Sequence, residues 1–254
     1  MMELFLIGIG TGNPDHLTAQ AVRAMRGADL ILLPRKGEGK EELVDVRREI
    51  CAQVLDSPAR IVEFDMPVRD GAAEYVRAVH DWHDAIAQAW RDQMALHLPH
   101  GGRMALLVWG DPSLYDSSLR IAERLMAGGM EVAVKVIPGI TSIQALTAAH
   151  VIPLNPLAGS LVISTGRLLR RYGWPDGFDT LVVMLDGGCA FDVLDPAGIT
   201  IWWGAYLGMP QEALEHGPLR EAAPRIAERR AELRAAHGWI MDVYLMRREQ
   251  SGGK

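Results

Sequence analysis

Cysteine is nearly absent: the 254 residues contain two, Cys51 and Cys189, far apart and in no Cys-x-x-Cys pattern. That excludes a disulfide scaffold and a cysteine-built structural zinc site. Long apolar runs are missing as well. Those at 4–9 and 30–33 are among the longest, far short of the ~20 residues that cross a bilayer. No basic segment followed by an apolar signal core opens the chain, and Glu3 comes almost at once. These absences predict a cytoplasmic protein with no membrane partner. Positive charge is in deficit, with 26 Lys and Arg against 32 Asp and Glu and a net charge of −6. A general nucleic-acid binder should carry a basic footprint instead. Local basic clusters can still bind an anion. The histidine pairs His80/His83 and His97/His100 have no carboxylate–cysteine set beside them, so no metal site is expected.

What is present is an alternation of short apolar runs and amphipathic stretches. Residues 3–9 read as a strand buried on both faces. A glycine-rich turn follows at 8–13, then a helix over 15–26 and a second buried strand over 28–34. Strand, helix and strand in ~30 residues make a βαβ unit, so a parallel sheet is expected. Helices are predicted at 41–55 and 72–98, with strands at 60–64 and 104–109. The longer helix carries Trp82, Ile86, Trp90 and Met94 at helical spacing, a stripe read as core. A helix at 114–126, a strand at 131–137 and a helix at 142–150 come next. After Pro153 the pattern shifts to short strands at 160–165, 180–185 and 199–203, one helix at 223–236 and a last strand at 239–246. Fewer helices between strands point to a mixed sheet there. The expectation is therefore an α/β protein of two domains. Residues 1–112 would form a parallel sheet and 118–254 a mixed one, joined by a linker at 113–117.

Three turns carry polar or glycine residues where strands end. The first is Gly8-Ile9-Gly10-Thr11-Gly12-Asn13. It departs from a dinucleotide fingerprint, because the third glycine of Gly-x-Gly-x-x-Gly would fall at Asn13. Leu33-Pro34-Arg35 also stands where a ribose-binding acid would. This disfavours the alternative of a nicotinamide-dependent oxidoreductase. The second is Trp109-Gly110-Asp111-Pro112-Ser113-Leu114-Tyr115, at the end of a buried strand, where open α/β sheets bind ligands. Asp111 there either caps the next helix or accepts hydrogen bonds from a ligand. The third is Pro138-Gly139-Ile140-Thr141-Ser142, whose hydroxyls either cap a helix or meet a polar ligand.

In this order and spacing, these turns together with Ala28-Asp29 and Val151-Ile152-Pro153-Leu154 resemble the tetrapyrrole methylase family over nearly the whole chain. The resemblance implies two α/β domains with the active site in the cleft between them, and S-adenosyl-L-methionine as co-substrate. It places Thr11, Trp109, Gly110, Asp111, Thr141, Ser142, Leu185 and Ala205 at the cofactor. It implies an anionic tetrapyrrole substrate, no metal and a homodimer. The first loop departs from the family's usual Gly-x-Gly-Pro-Gly-Asp at Thr11 and Asn13.

Pro34-Arg35-Lys36-Gly37-Glu38, Phe64-Asp65-Met66-Pro67-Val68-Arg69 and Leu185-Asp186-Gly187-Gly188 resemble a branch of that family that also removes an acetyl group. Deacetylation needs an activated water or a polarised carbonyl, and Asp111, Tyr115 and Asp186 are the catalytic candidates. Arginine pairs bidentately with carboxylates, so Arg35, Arg47, Arg48 and Arg167 are the candidates for the substrate's acid groups.

Overall fold

The computed structural model describes residues 1–35, 41–55, 60–69 and 75–248. The segment 36–38 and the expected helix start at 72–74 lie outside them. The chain divides into two units, Met1–Thr141 and Ser142–Lys254.

The first unit alternates strand and helix: β1 (Met2–Gly8), α1 (Ala19–Arg26), β2 (Leu30–Arg35), α2 (Glu41–Val54), β3 (Ile61–Asp65), α3 (Tyr75–His97), β4 (Gly102–Val108), α4 (Ser118–Ala127) and β5 (Val132–Ile137). The five strands form one parallel sheet in the order β3-β2-β4-β1-β5. Successive side chains on a strand point to opposite faces, and here both faces are covered. Leu4, Leu6, Leu30, Leu32, Met104 and Leu106 pack against Ile86, Trp90 and Met94 of α3 and Ile121 and Leu125 of α4. Phe5, Ile7, Ile31, Leu33, Ala105 and Leu107 pack against Ala21 and Met25 of α1 and Ile50, Cys51 and Val54 of α2. The expected helix over 15–26 is broken: a 3-10 turn at Pro14–His16 gives way to α1, whose cap is the Thr18 hydroxyl accepting from the Ala21 amide at 3.0 Å.

The division at Thr141 differs from the linker expected at 113–117. The reason is pairing: β5 lies beside β1 with Met2 opposite Val132 and Ile7 opposite Ile137. A strand that hydrogen-bonds along the first sheet stays with it, and α4, which leads to it, packs on the same core.

The second unit contains α5 (Ser142–Ala149), β6 (Leu161–Thr165), α6 (Gly166–Tyr172), β7 (Thr180–Met184), β8 (Ile199–Ala205), β9 (Ala213–Pro218), α7 (Leu219–His237) and β10 (Asp242–Arg248). Its sheet runs β6-β7-β10-β8-β9, with β6 and β7 parallel and the other pairs antiparallel. This is the mixed sheet expected. No described helix is long and apolar enough to cross a membrane.

Candidate active site

In the first unit the turns after β1, β4 and β5 touch one another through backbone. Gly10 and Gly110 form an isolated antiparallel bridge, the Gly110 amide donating to the Gly10 carbonyl at 2.7 Å. A Cβ on Gly139 would sit 2.1 Å from the Gly110 carbonyl oxygen and 2.8 Å from Gly8 backbone. One on Gly8 would sit 2.6 Å from the Gly139 amide nitrogen. These glycines are required because three main chains meet. Gly110 is different: a Cβ there would find only ordinary contacts, 3.5 Å or more away, but its φ is +61°. Side chains other than glycine's are disfavoured in that region, β-branched ones most of all.

Asp111 ties two of the turns together. Its Oδ1 accepts from the Ser113 amide at 2.8 Å and the Ser113 hydroxyl at 2.5 Å, and its Oδ2 accepts from the Gly139 amide at 2.9 Å. Burial pushes its pKa up, but the hydrogen bonds from Ser113 and Gly139 outweigh this and hold it below the ordinary value. A carboxylate has about four acceptor positions, and these contacts fill three of them. Asp111 thus both shapes the loop and keeps an acceptor for one more donor.

The remaining cofactor candidates are differently placed. Thr11 is buried, and its hydroxyl lies 2.9 Å from Nδ1 of His16, a partner the sequence did not reveal. Thr141 is buried at the end of the first unit. Trp109 turns its ring toward the buried Arg47, whose guanidinium carbon is 5.0 Å from the ring centroid. In the second unit Ser142 opens α5, and Leu185 is exposed with φ +51°. Ala205 is fully buried, opposite Asp242 of β10 and Ala213 of β9.

Of the catalytic candidates, Tyr115 stands on the 109–115 turn, exposed at 42% and strained at φ +50°. Burial of part of the ring raises its pKa, so the phenol stays protonated at neutral pH and is a donor rather than a base. Asp186 is held by four donors of its own unit. Its Oδ1 accepts from the Gly188 amide at 3.1 Å and Arg170 Nη2 at 3.2 Å; its Oδ2 accepts from the Ala190 amide at 2.5 Å and the Tyr244 hydroxyl at 2.8 Å. All four acceptor positions are filled and the side chain is 2% exposed. These contacts fix the turn after β7.

The arginines separate in the same way. Arg35 is paired with Asp65 at 2.9 Å, and Arg48 with Asp45 and Glu63 at 2.5 and 2.7 Å, all at the surface of the first unit. Arg167 is exposed on α6. Arg47 is buried, with Nε donating to the Leu107 carbonyl at 3.1 Å.

A family model described as Tetrapyrrole (Corrin/Porphyrin) Methylases matches residues 3–223. The chain is 47% identical over 251 residues to a precorrin-6A synthase [deacetylating] of Sinorhizobium sp, covering 98% of this chain and 96% of that one. A crystal structure of a putative cobalamin synthesis related protein, CobF, from Corynebacterium diphtheriae aligns with a TM-score of 0.84 at 37% identity, covering 98% of this chain and 99% of that one. A uroporphyrin-III C-methyl transferase from Thermus thermophilus, solved with S-adenyl homocysteine, aligns with a TM-score of 0.58 at 20% identity over 96% of each chain, a likeness of fold alone.

Proposed function

The chain belongs to the tetrapyrrole (corrin/porphyrin) methylases, and from that premise we propose its reaction: C-methylation of precorrin-5 at C-1 from S-adenosyl-L-methionine, with release of acetate, to give precorrin-6A. The observation that carries this is the 47% identity with a precorrin-6A synthase over 98% of the chain. The same reading makes the protein a cytoplasmic homodimer with a small anionic tetrapyrrole as its partner.

The sulfonium supplies an already activated methyl group, so the chain's residues have to bind, align and exclude water. Holding the reacting atoms in line can be worth ~7–11 kcal/mol. The donor set suits S-adenosylmethionine. The open acceptor position of Asp111 fits an ammonium or a ribose hydroxyl. Thr11, Thr141 and Ser142 offer hydroxyls, Trp109 and Gly110 belong to the same turn as Asp111, and Leu185 and Ala205 are carried to the adenine by the family resemblance. Saturating S-adenosylhomocysteine should therefore raise the melting temperature, as any native-state ligand does. Gly110→Val should remove that rise, because valine cannot hold φ +61° without strain and the turn would move. A folded Gly110→Val protein with the normal rise would take this turn out of the cofactor site.

For deacetylation we assign the polarising donor to Tyr115, whose protonated phenol can hydrogen-bond a carbonyl oxygen as charge develops on it. Asp111, with its lowered pKa, orders the turn and is a weak base. Losing one such donor costs roughly 10²–10³-fold in rate. Tyr115→Phe should slow acetate release by about that factor with substrate and S-adenosylhomocysteine bound, whereas Asp111→Asn should weaken the cofactor. Normal acetate release by Tyr115→Phe would move the role to another group. The candidates for the substrate's carboxylates are Arg35, Arg47, Arg48 and Arg167, of which Arg35 and Arg48 also pair with acids of their own unit.

A further inference from the structure

In the second unit, Leu185 and Cys189 bracket the turn after β7 with a left-handed backbone, at φ +51° and +49°, and Tyr206 after β8 does the same at +50°. That region disfavours residues other than glycine, and such conformations persist only where their surroundings fix them. Arg230 reaches both places. It is a buried cation on α7, in a residue 8% exposed. Its Nη2 donates to the Asp186 main-chain carbonyl at 2.8 Å, and its Nε donates to Oδ2 of Asp242 at 2.9 Å. Asp242 opens β10 and stands opposite Ala205, the last residue of β8. The same Oδ2 accepts from the Trp203 indole of β8 at 2.9 Å. One guanidinium therefore ties the main chain of the first turn to the end of β8. The Asp186 side chain holds its turn through Gly188, Ala190, Tyr244 and Arg170, none of which is on β8.

We propose that Arg230 is a positioning residue for the adenine end of the cofactor. The inference rests on the methyltransferase reading, in which Leu185 and Ala205 flank the adenine. Arg230 acts through main chain. Its bond to the Asp186 carbonyl fixes the peptide beside Leu185, and its bond to Asp242 fixes the strand end beside Ala205. A buried ion pair adds little stability over apolar side chains of the same volume. Its value here is geometric, because a planar guanidinium holds two acceptors at one set separation. A flat base is then read by the fit between two segments that cannot drift apart.

Two variants of the full chain test this. Arg230→Lys keeps a cation beside Asp242 but puts one nitrogen in place of the fork. Arg230→Met combined with Asp242→Asn removes both charges together, so neither is left alone in the interior. By calorimetric titration each should bind S-adenosylhomocysteine about tenfold more weakly than the parent, the scale of one lost charged hydrogen bond. Each should also lose the parent's preference for it over S-inosylhomocysteine, whose base carries an oxygen in place of the adenine amino group. In turnover the KM for S-adenosylmethionine should rise by about the same factor, with the KM for the tetrapyrrole unchanged. Ile226→Ala is the control for lost stability alone, since Ile226 is fully buried one turn earlier on α7. It should lower the melting temperature and leave the ratio of the two affinities as in the parent. Parental affinity and base preference in either folded arginine variant would overturn the proposal. So would an equal loss of preference in Ile226→Ala, or no base preference in the unaltered protein. An unaltered protein that binds no S-adenosylhomocysteine would overturn the methyltransferase reading, and this inference with it.

Discussion

Gly139→Ala should abolish S-adenosylhomocysteine binding and destabilise the protein by about 3 kcal/mol, the upper range for forcing one extra carbon into packed structure. The substitution looks mild. The φ of Gly139 is not in the left-handed region, so alanine's backbone preferences are not offended. The difficulty is contact: the new methyl would lie 2.1 Å from the Gly110 carbonyl oxygen and 2.8 Å from Gly8 backbone, and neither neighbour is a flexible side chain that can swing aside. The turns after β1, β4 and β5 would have to part. Parting them breaks the Gly139 amide bond to Asp111 and disturbs the Gly10–Gly110 bridge. Gly187→Ala is the matched control, because a Cβ there meets nothing within 4 Å. Denaturant unfolding and a cofactor-analogue melting assay on both variants check the claim. A Gly139→Ala protein as stable as the parent and still bound by the analogue would show that the three turns are not locked together.

Asp186→Asn should have the second large effect, on stability rather than on chemistry. The carboxylate receives two backbone amides, the Tyr244 hydroxyl and Arg170. An asparagine amide would point N–H groups at some of these donors. Leaving buried donors and a partly buried cation without their acceptor costs about 3 kcal/mol, or roughly 6–12 °C in melting temperature. The pH dependence has a definite sign. Burial pushes the Asp186 pKa up, but the hydrogen bonds from Ala190, Gly188, Tyr244 and Arg170 together pull harder, so the folded-state value lies below the ordinary 3.8. A depressed carboxylate pKa contributes stability that is fully present above the unfolded value and lost as pH falls through the folded one. The parent should therefore lose stability below about pH 4 more steeply than Asp186→Asn does, as melting curves between pH 7 and pH 3 would register. Parallel curves for the two proteins would mean that Asp186 does not hold this turn.

Much of the first unit could be read from sequence because its signals are local. Both faces of β1, β2 and β4 are buried, so their apolar runs are nearly unbroken, and the helices between them carry one apolar face. The place of β5 could not be read. Val132–Ile137 looks like a strand, but that it pairs with β1, some 130 residues earlier, depends on partners distant in the chain. Two elements of the second unit escaped for local reasons. The sequence of β9 contains Gly217 and Pro218 and pairs only with β8 at the sheet edge, while α6 is a seven-residue helix that opens on Gly166. At the site, motif spacing identified the turns and the resemblance supplied the cofactor. Neither distinguishes Asp111 from Asp186, since both are acids next to glycine-bearing turns. Their difference is a count of donors: three on one, four on the other. The helical spacing places Trp82 and Trp90 in the core, and both pack there.

The central claim is the reaction itself. Purified protein incubated with precorrin-5 and methyl-labelled S-adenosylmethionine, with products followed by mass spectrometry, tests it most directly. The expected result is one labelled methyl group on the tetrapyrrole and one acetate for each S-adenosylhomocysteine formed. Labelled S-adenosylmethionine left intact alongside unchanged precorrin-5, with a protein that is folded and binds S-adenosylhomocysteine, would contradict it.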